Sequence, residues 1–156
     1  MDGHVMLHGH GVRYRLVGGP LRPGGSPKET EVAVRRYLCR RCGVATSVFP
    51  RGLLPRLHYT AFAIVTALAL WAEGCSSSAV RHAVSPWASS GGERFHGWRC
   101  LQRWARAGPR LWPGLYADAT ALPLSCALSI VMQLSARAPT PTGDVLTDAL
   151  AGLHFV

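Results

Sequence analysis

The chain has 156 residues, 48% of them hydrophobic, and carries 17 Lys and Arg against 8 Asp and Glu, a net charge of +9. That apolar content is enough for a real core in one compact domain or two very small ones, which excludes wholesale disorder. The eight acids are scattered, with no D-x-D or D-D-E-like grouping for a two-metal nuclease, and neither a Gly-rich phosphate loop nor a G-x-S-x-G elbow occurs, so the composition points away from an enzyme.

The charge is unevenly placed. Arg13 to Arg110 holds 16 basic residues and four acids, whereas the tail beyond Arg110 is slightly acidic. A positive field confined to the first two thirds of a chain suits a polyanionic partner, most commonly nucleic acid. All but one of the basic residues are Arg, whose planar guanidinium donates in the fixed fork that phosphate and guanine accept. High-GC codon usage is the competing source of the Arg bias, but it does not account for the clustering.

The N-terminus, MDGHVMLHGHG, lacks the basic start and apolar run of a secretory signal. Together with an odd number of cysteines (Cys39, Cys42, Cys75, Cys100 and Cys126), this gives the expectation of a cytoplasmic protein with thiols in place of disulfides. Residues 1–50 read as β and turn. VRYRLV at 12–17 and EVAVRRYL at 31–38 alternate apolar with polar residues around the Gly/Pro loop GGPLRPGGSPKE. The second strand leads into Cys39-x-x-Cys42-Gly43, and a short strand follows through Val48 and Phe49. Two thiolates on a tight turn can reach one tetrahedral zinc ion, but one knuckle supplies only half the ligands. His4, His8 and His10 are the metal-capable residues before it, so Cys39, Cys42, His8 and His10 form a candidate Cys2His2 site; two free thiols are the alternative.

Residues 57–72 read as a helix apolar on nearly its whole circumference, the central member of a bundle, ended by Gly74. Ser76, Ser77 and Ser78 offer caps for a short helix through Val84, which Ser85-Pro86 terminates. A third helix is predicted over 93–107, closed by Gly108-Pro109. On its wheel Trp98, Leu101, Trp104 and Ala105 share one face, and Arg99, Arg103 and Arg106 the other. Residues 121–137 read as an amphipathic helix with Ser125, Ser129 and Gln133 as a polar stripe that Arg137 extends. A Pro/Thr-rich linker and a short segment over 145–153 complete the chain. The apolar run at 59–72 falls short of the roughly 20 residues a bilayer requires, and the polar stripe of the later helix argues against a span there, so no membrane partner is expected. Cys75, Cys100 and Cys126 read as core or helix-surface thiols, and Trp71, Trp98 and Trp104 as core.

HGHGVRYR, VRRYLCRRCG, FPRGLLPRLHYT, the apolar helix ending AEG, and GWRCLQRWARA together resemble the zinc-ribbon and helix-turn-helix proteins that accompany bacterial insertion sequences, some known only as a domain of unknown function. The resemblance spans about 8–106. It implies a first C-x-x-C just upstream of His8, where this sequence begins at Met1, so that either the start lies further upstream or the protein is a degraded mobile-element remnant.

The expected architecture is α+β, mainly α: an incomplete zinc-ribbon-like β module at 1–50, a helix-turn-helix-like α domain at 55–137, and a linker with a flexible end at 138–156. The expected function is non-catalytic DNA binding related to transposase accessory proteins, with zinc as the only cofactor the residues suggest and no small-molecule substrate. Arg99 and Arg103, with His96 or Gln102, would face base edges, and Arg81, Arg94 and Arg106 would meet phosphates. Arg13, Arg15, Arg35, Arg36, Arg40 and Arg41 would position the ribbon on the backbone. One departure is that the connection at 85–92 is about twice the usual three or four residues. The alternative function is a protein-interaction subunit whose apolar helix at 121–137 docks on a transposase, a regulator or a second copy.

Overall fold

A computed structural model of the chain describes residues 6–87, 98–118 and 120–153. Among these residues it is α+β: a three-stranded antiparallel sheet precedes five helices. β1 (Leu7–Gly19) and β2 (Lys28–Cys39) form a long hairpin, and β3 (Ala45–Val48) pairs with the far end of β2. Both long strands exceed the stretches marked by alternation, because pairing continues through His8-Gly9 and through Thr30. Between Gly9 and Val12 the register shifts, so that two residues of β1 oppose one of β2. Gly11, at φ +87°, supplies the left-handed conformation at that bulge.

The sheet joins the helices at its base. Gly18 N–H donates to His58 O at 2.7 Å and Thr60 N–H to Gly18 O at 3.1 Å, so residues 58–60 run extended beside β1. This shortens the helix expected from Leu57: α1 is Ala61–Ala72. Thr60 is fully buried and satisfied on both sides, donating through Oγ1 to Pro20 O at 2.6 Å and capping α1 by accepting from Ala63 N–H at 3.1 Å. As its apolar circumference predicts, α1 is central, burying Phe62, Ile64, Val65 and Leu68 in the core and packing against each of the other described helices. It ends in a Schellman motif, Cys75 N–H to Leu70 O and Gly74 N–H to Trp71 O, with Gly74 at φ +93°.

α2 (Ser77–Val84) is capped by Ser76, whose Oγ accepts from Ala79 N–H, and stops at Ser85. α3 begins at Arg99, with residues 93–97 of the expected helix outside the described residues, and runs through Gly108-Pro109 to Leu111. The expected break fails for two reasons. Gly108 is needed for packing, since a Cβ there would lie 2.2 Å from Ile130 Cδ1. Pro109 removes only one N–H donor near the helix end, and Trp112 N–H still closes the last turn on Gly108 O at 2.9 Å. α4 (Pro123–Ser135) starts with Pro at its first position, where the missing N–H costs nothing.

The end expected to be flexible is instead a packed helix, α5 (Val145–Gly152), with Ala149 and Leu150 buried against α4 and α1. Its signal, Asp144 as N-cap accepting from Thr147 N–H at 2.8 Å, is local and easily lost behind a Pro/Thr-rich stretch. Among the described residues no helix is long and apolar enough to cross a membrane.

Candidate nucleic-acid interface

The exposed face of α3 gathers the largest group of basic side chains on one element. Arg99, Gln102, Arg103, Arg106 and Arg110 are all exposed, while Leu101, Trp104, Ala105 and Gly108 are buried. The buried side is fixed by an aromatic cluster: Trp98 and Trp104 meet edge to face with centroids 5.0 Å apart, and Tyr59 touches both, at 5.6 and 5.0 Å. Tyr59 also meets Trp87 at 5.0 Å and bonds Ser85 Oγ through its hydroxyl at 2.8 Å. Burial pushes the Tyr59 hydroxyl pKa up, so it stays neutral and able to donate. Rigid aromatic packing on one side therefore holds the arginine side at a fixed orientation. The sequence contains no acid from residue 94 to residue 117, so nothing on this helix neutralises the face. Arg110, beyond the predicted helix end, extends the row by a turn and was missed because Gly108-Pro109 reads as a stop.

Arg81 does not join this face. It is 8% exposed, on the packed side of α2, and its Nη2 donates to Trp87 O at 3.4 Å, so burial removes it from the phosphate-contact set. Arg94 and His96 lie outside the described residues. α2 packs on α1, whereas α3 packs on α4 and α1.

The ribbon arginines divide between two faces. Strand alternation and the pairing Arg13↔Val34 and Arg15↔Val32 put Arg13, Arg15 and Arg36 on the face that carries Val17 and Val34 into the core. Arg35 pairs with Val12 and shares the opposite face with exposed Tyr14 and Leu16. Arg15 is half-buried: Nη1 donates to Leu54 O at 3.3 Å and the guanidinium lies 5.6 Å from the Phe49 ring centroid. Its pKa is lowered, first by burial and then by the neighbouring Arg13 charge. Arg15 thus braces the loop after β3, leaving Arg13 exposed beside it. A groove of about 830 Å³ is lined by Arg13, Arg15, Phe49, Arg56, His58 and Trp87, together with Glu29 and Glu31 of β2. Arg56 and His58 carry no sequence signal. They are brought to the groove by residues 58–60 pairing with Gly18.

The Cys39–Val44 segment forms a tight turn. Gly43 N–H donates to Cys39 O and Cys39 N–H to Val44 O, each at 2.9 Å, and Gly43 takes φ +71°. Cys42 is exposed, and the Cys39 thiol pKa is lowered by the backbone N–H groups of Cys42 and Arg41 and by the Cys42 side chain. The fit to zinc is partial. His8 pairs with Leu38 while Leu7 pairs with Cys39, so His8 falls on the opposite face of the hairpin from Cys39, and His10 stands exposed at the bulge. Among the described residues no group of three or more His, Cys, Asp or Glu comes together to hold a metal. Among the described residues Cys39 and Cys42 stand together without a third such side chain beside them.

The α3 helix thus offers a row of guanidinium donors and no acid of its own, an arrangement a phosphate can accept from. In comparisons with known proteins, the chain matches no protein-family model, no curated protein and no solved structure.

Proposed function

We propose that this chain is a non-catalytic DNA-binding protein, related to the zinc-ribbon and helix-turn-helix proteins of insertion sequences and acting in the cytoplasm. The observation that carries the reading is the exposed α3 face of Arg99, Gln102, Arg103, Arg106 and Arg110 over a fully packed aromatic side. Arg99, Gln102 and Arg103 read base edges, and Arg106 and Arg110 hold phosphates on either side of the groove. Arg13, Arg36, Arg40 and Arg41 add backbone contacts from the ribbon, and Arg35, on its opposite face, is left out of that set. The helix-turn-helix likeness is loose, because α3 is presented by α4 and α1, and α2 serves α1.

Duplex binding measured by fluorescence anisotropy across a salt series tests this. Affinity falls steeply with salt, and Arg106→Ala lowers the slope of log K against log salt by about one, weakening all sequences alike. Arg103→Ala costs about 1–3 kcal/mol on a preferred site and relaxes discrimination there. Unchanged affinity and slope in both variants would overturn the reading.

One observation favours a second reading, an interaction subunit that docks on a transposase. Leu124, Leu128 and Met132 form an exposed apolar stripe on α4, one residue from each polar position. Under that reading Leu128→Gln abolishes partner capture and leaves DNA binding intact.

A further inference from the structure

We propose that the groove lined by Arg13, Arg56, His58 and Trp87 binds a single strand of nucleic acid, with phosphates on its arginines and an unpaired base at Trp87. The site shares no residue with the α3 face and goes beyond the duplex reading.

Arg56 sits where its own backbone disfavours it. Leu54-Pro55-Arg56-Leu57 is a turn closed by Leu57 N–H on Leu54 O at 3.4 Å, with Pro at its second position. Arg56, at the third, takes φ +63°, and among the described residues it alone is a non-glycine in the left-handed region. A turn of this pattern asks for Gly there, because a Cβ crowds the backbone at positive φ. The arginine side chain is nevertheless present, exposed and part of the groove lining.

Arg15 ties this turn to the sheet, its Nη1 donating to the same Leu54 O at 3.3 Å while its guanidinium lies 5.6 Å from the Phe49 ring centroid. Arg13, two residues away on the same strand face and exposed, is left facing solvent beside it. Burial first and the Arg13 charge second lower the Arg15 pKa, and an anion beside the two guanidiniums offsets their repulsion. His58, whose carbonyl accepts from Gly18 N–H at 2.7 Å, brings an exposed imidazole to the same groove.

The other wall differs in character. Glu29 pairs with Gly18 and Glu31 with Leu16, so both carboxylates lie on the hairpin face away from Arg13 and Arg15. On that face the Trp87 ring packs on Gly18, leaving no room for a Cβ, and its Nε1 donates to Glu29. Glu31, two residues along, is exposed.

A groove of about 830 Å³ with cations on one wall and an indole with carboxylates on the other selects a ligand whose charge is divided in the same way. An acidic peptide spreads carboxylates along its length and sets some of them against Glu29 and Glu31. A nucleotide keeps its anion on the phosphate and presents a neutral ring, which stacks on an indole and whose amino group donates to a carboxylate. In a duplex both faces of that ring are covered by neighbouring base pairs, so the ligand is an unpaired strand.

The test measures the anisotropy of labelled oligo-dC, oligo-dT and a duplex with the full chain at physiological salt. Both strands bind, oligo-dC more tightly, because thymine has no exocyclic amine. Arg56→Gly weakens strand binding about tenfold, the loss of one charge-assisted contact. The same variant keeps or raises the urea midpoint, since Gly suits the turn, and leaves duplex binding unchanged. Glu31→Ala brings the two strands level. Arg103→Ala weakens the duplex and leaves the strands unchanged, so the two sites fail separately. Absence of strand binding, or strand binding unmoved by Arg56→Gly, overturns the proposal. So does competition at the strand's own affinity by free deoxycytidine monophosphate, which assigns the groove to a mononucleotide, or by an oligo-glutamate peptide, which assigns it to an acidic protein.

Discussion

Asp148 shows how an acid enters this core. It is 4% exposed, and its carboxylate accepts from the N–H and hydroxyl of Thr142, each at 2.8 Å, and from Gly143 N–H at 3.2 Å. These donors hold its pKa below the ordinary value, chiefly the Thr142 N–H. A carboxylate lowered on folding stabilises the native state above its unfolded pKa of about 3.9, and that contribution is lost as pH falls through the lower folded value. The urea midpoint is therefore expected to be flat from neutral pH to about 5 and to decline below about 4. Asp148→Asn lowers the neutral-pH midpoint and flattens part of the acid decline. Asp118 and Asp144, also lowered by their own turn and cap bonds, account for the part that remains. Gly152 makes the complementary point about space: a Cβ there would lie 1.9 Å from Leu134 O. Backbone cannot give way as a side chain can, so Gly152→Ala must move α5 off α4, at an expected cost of about 1–3 kcal/mol. Gly9→Ala, with nothing within 4 Å, changes stability by less than about 0.5 kcal/mol. Chemical denaturation of the two variants side by side checks both values.

At the scale of elements, periodicity identified faces better than it identified what covers them. The α1 sequence reads as central and is central. The α3 wheel separates the aromatic and arginine sides as observed. In α4 the polar stripe was legible, but its role was not. Ser129 and Gln133 bond Tyr116 O, Gln133 Oε1 accepts from Tyr116 N–H at 2.8 Å, and Arg137 donates to Gly114 O at 2.7 Å. The stripe read as the soluble side of this helix clamps the backbone of the preceding turn, and the side left to solvent is apolar. A hydropathy pattern cannot reveal this, because the partner is main chain, which has the same polarity under every sequence. The consequence is a pair of unequal neighbours on one helix. Ile130→Ala, at the fully buried contact with Gly108, is expected to cost about 2–5 kcal/mol. Leu128→Gln, at a side chain 50% exposed, is expected to fall within about 0.5 kcal/mol of the parent. If Leu128→Gln proved as damaging as Ile130→Ala, α4 would be covered by something other than the described chain.

For the whole molecule, the question is whether ribbon and helices form one cooperative unit. The α+β order and the hairpin were readable from alternation and Gly/Pro punctuation. The junction was not, because it depends on long-range groups with no local signature: Thr60 bonding Pro20, Gly18 accommodating the Trp87 ring, and Trp87 Nε1 donating to Glu29. The same holds for Arg81, whose burial beside Trp87, whose carbonyl it meets, has no local signature. This junction links the sheet to the aromatic cluster under α3, so loosening it should be felt at both ends. None of the five Trp residues lies in the ribbon, and fluorescence therefore reports helices and junction, while the amide infrared band of the sheet reports the ribbon. Heated or denatured together, the two signals are expected to trace one transition. Thr60→Val removes the bond to Pro20 and the α1 cap while keeping shape, leaving the Pro20 carbonyl and the Ala63 N–H without this partner, and should lower stability by about 1–3 kcal/mol. If the sheet band is lost before the fluorescence changes even in the parent chain, the hairpin arm folds apart from the helical body, and its arginines would then act as a tethered second contact and not as one surface with α3.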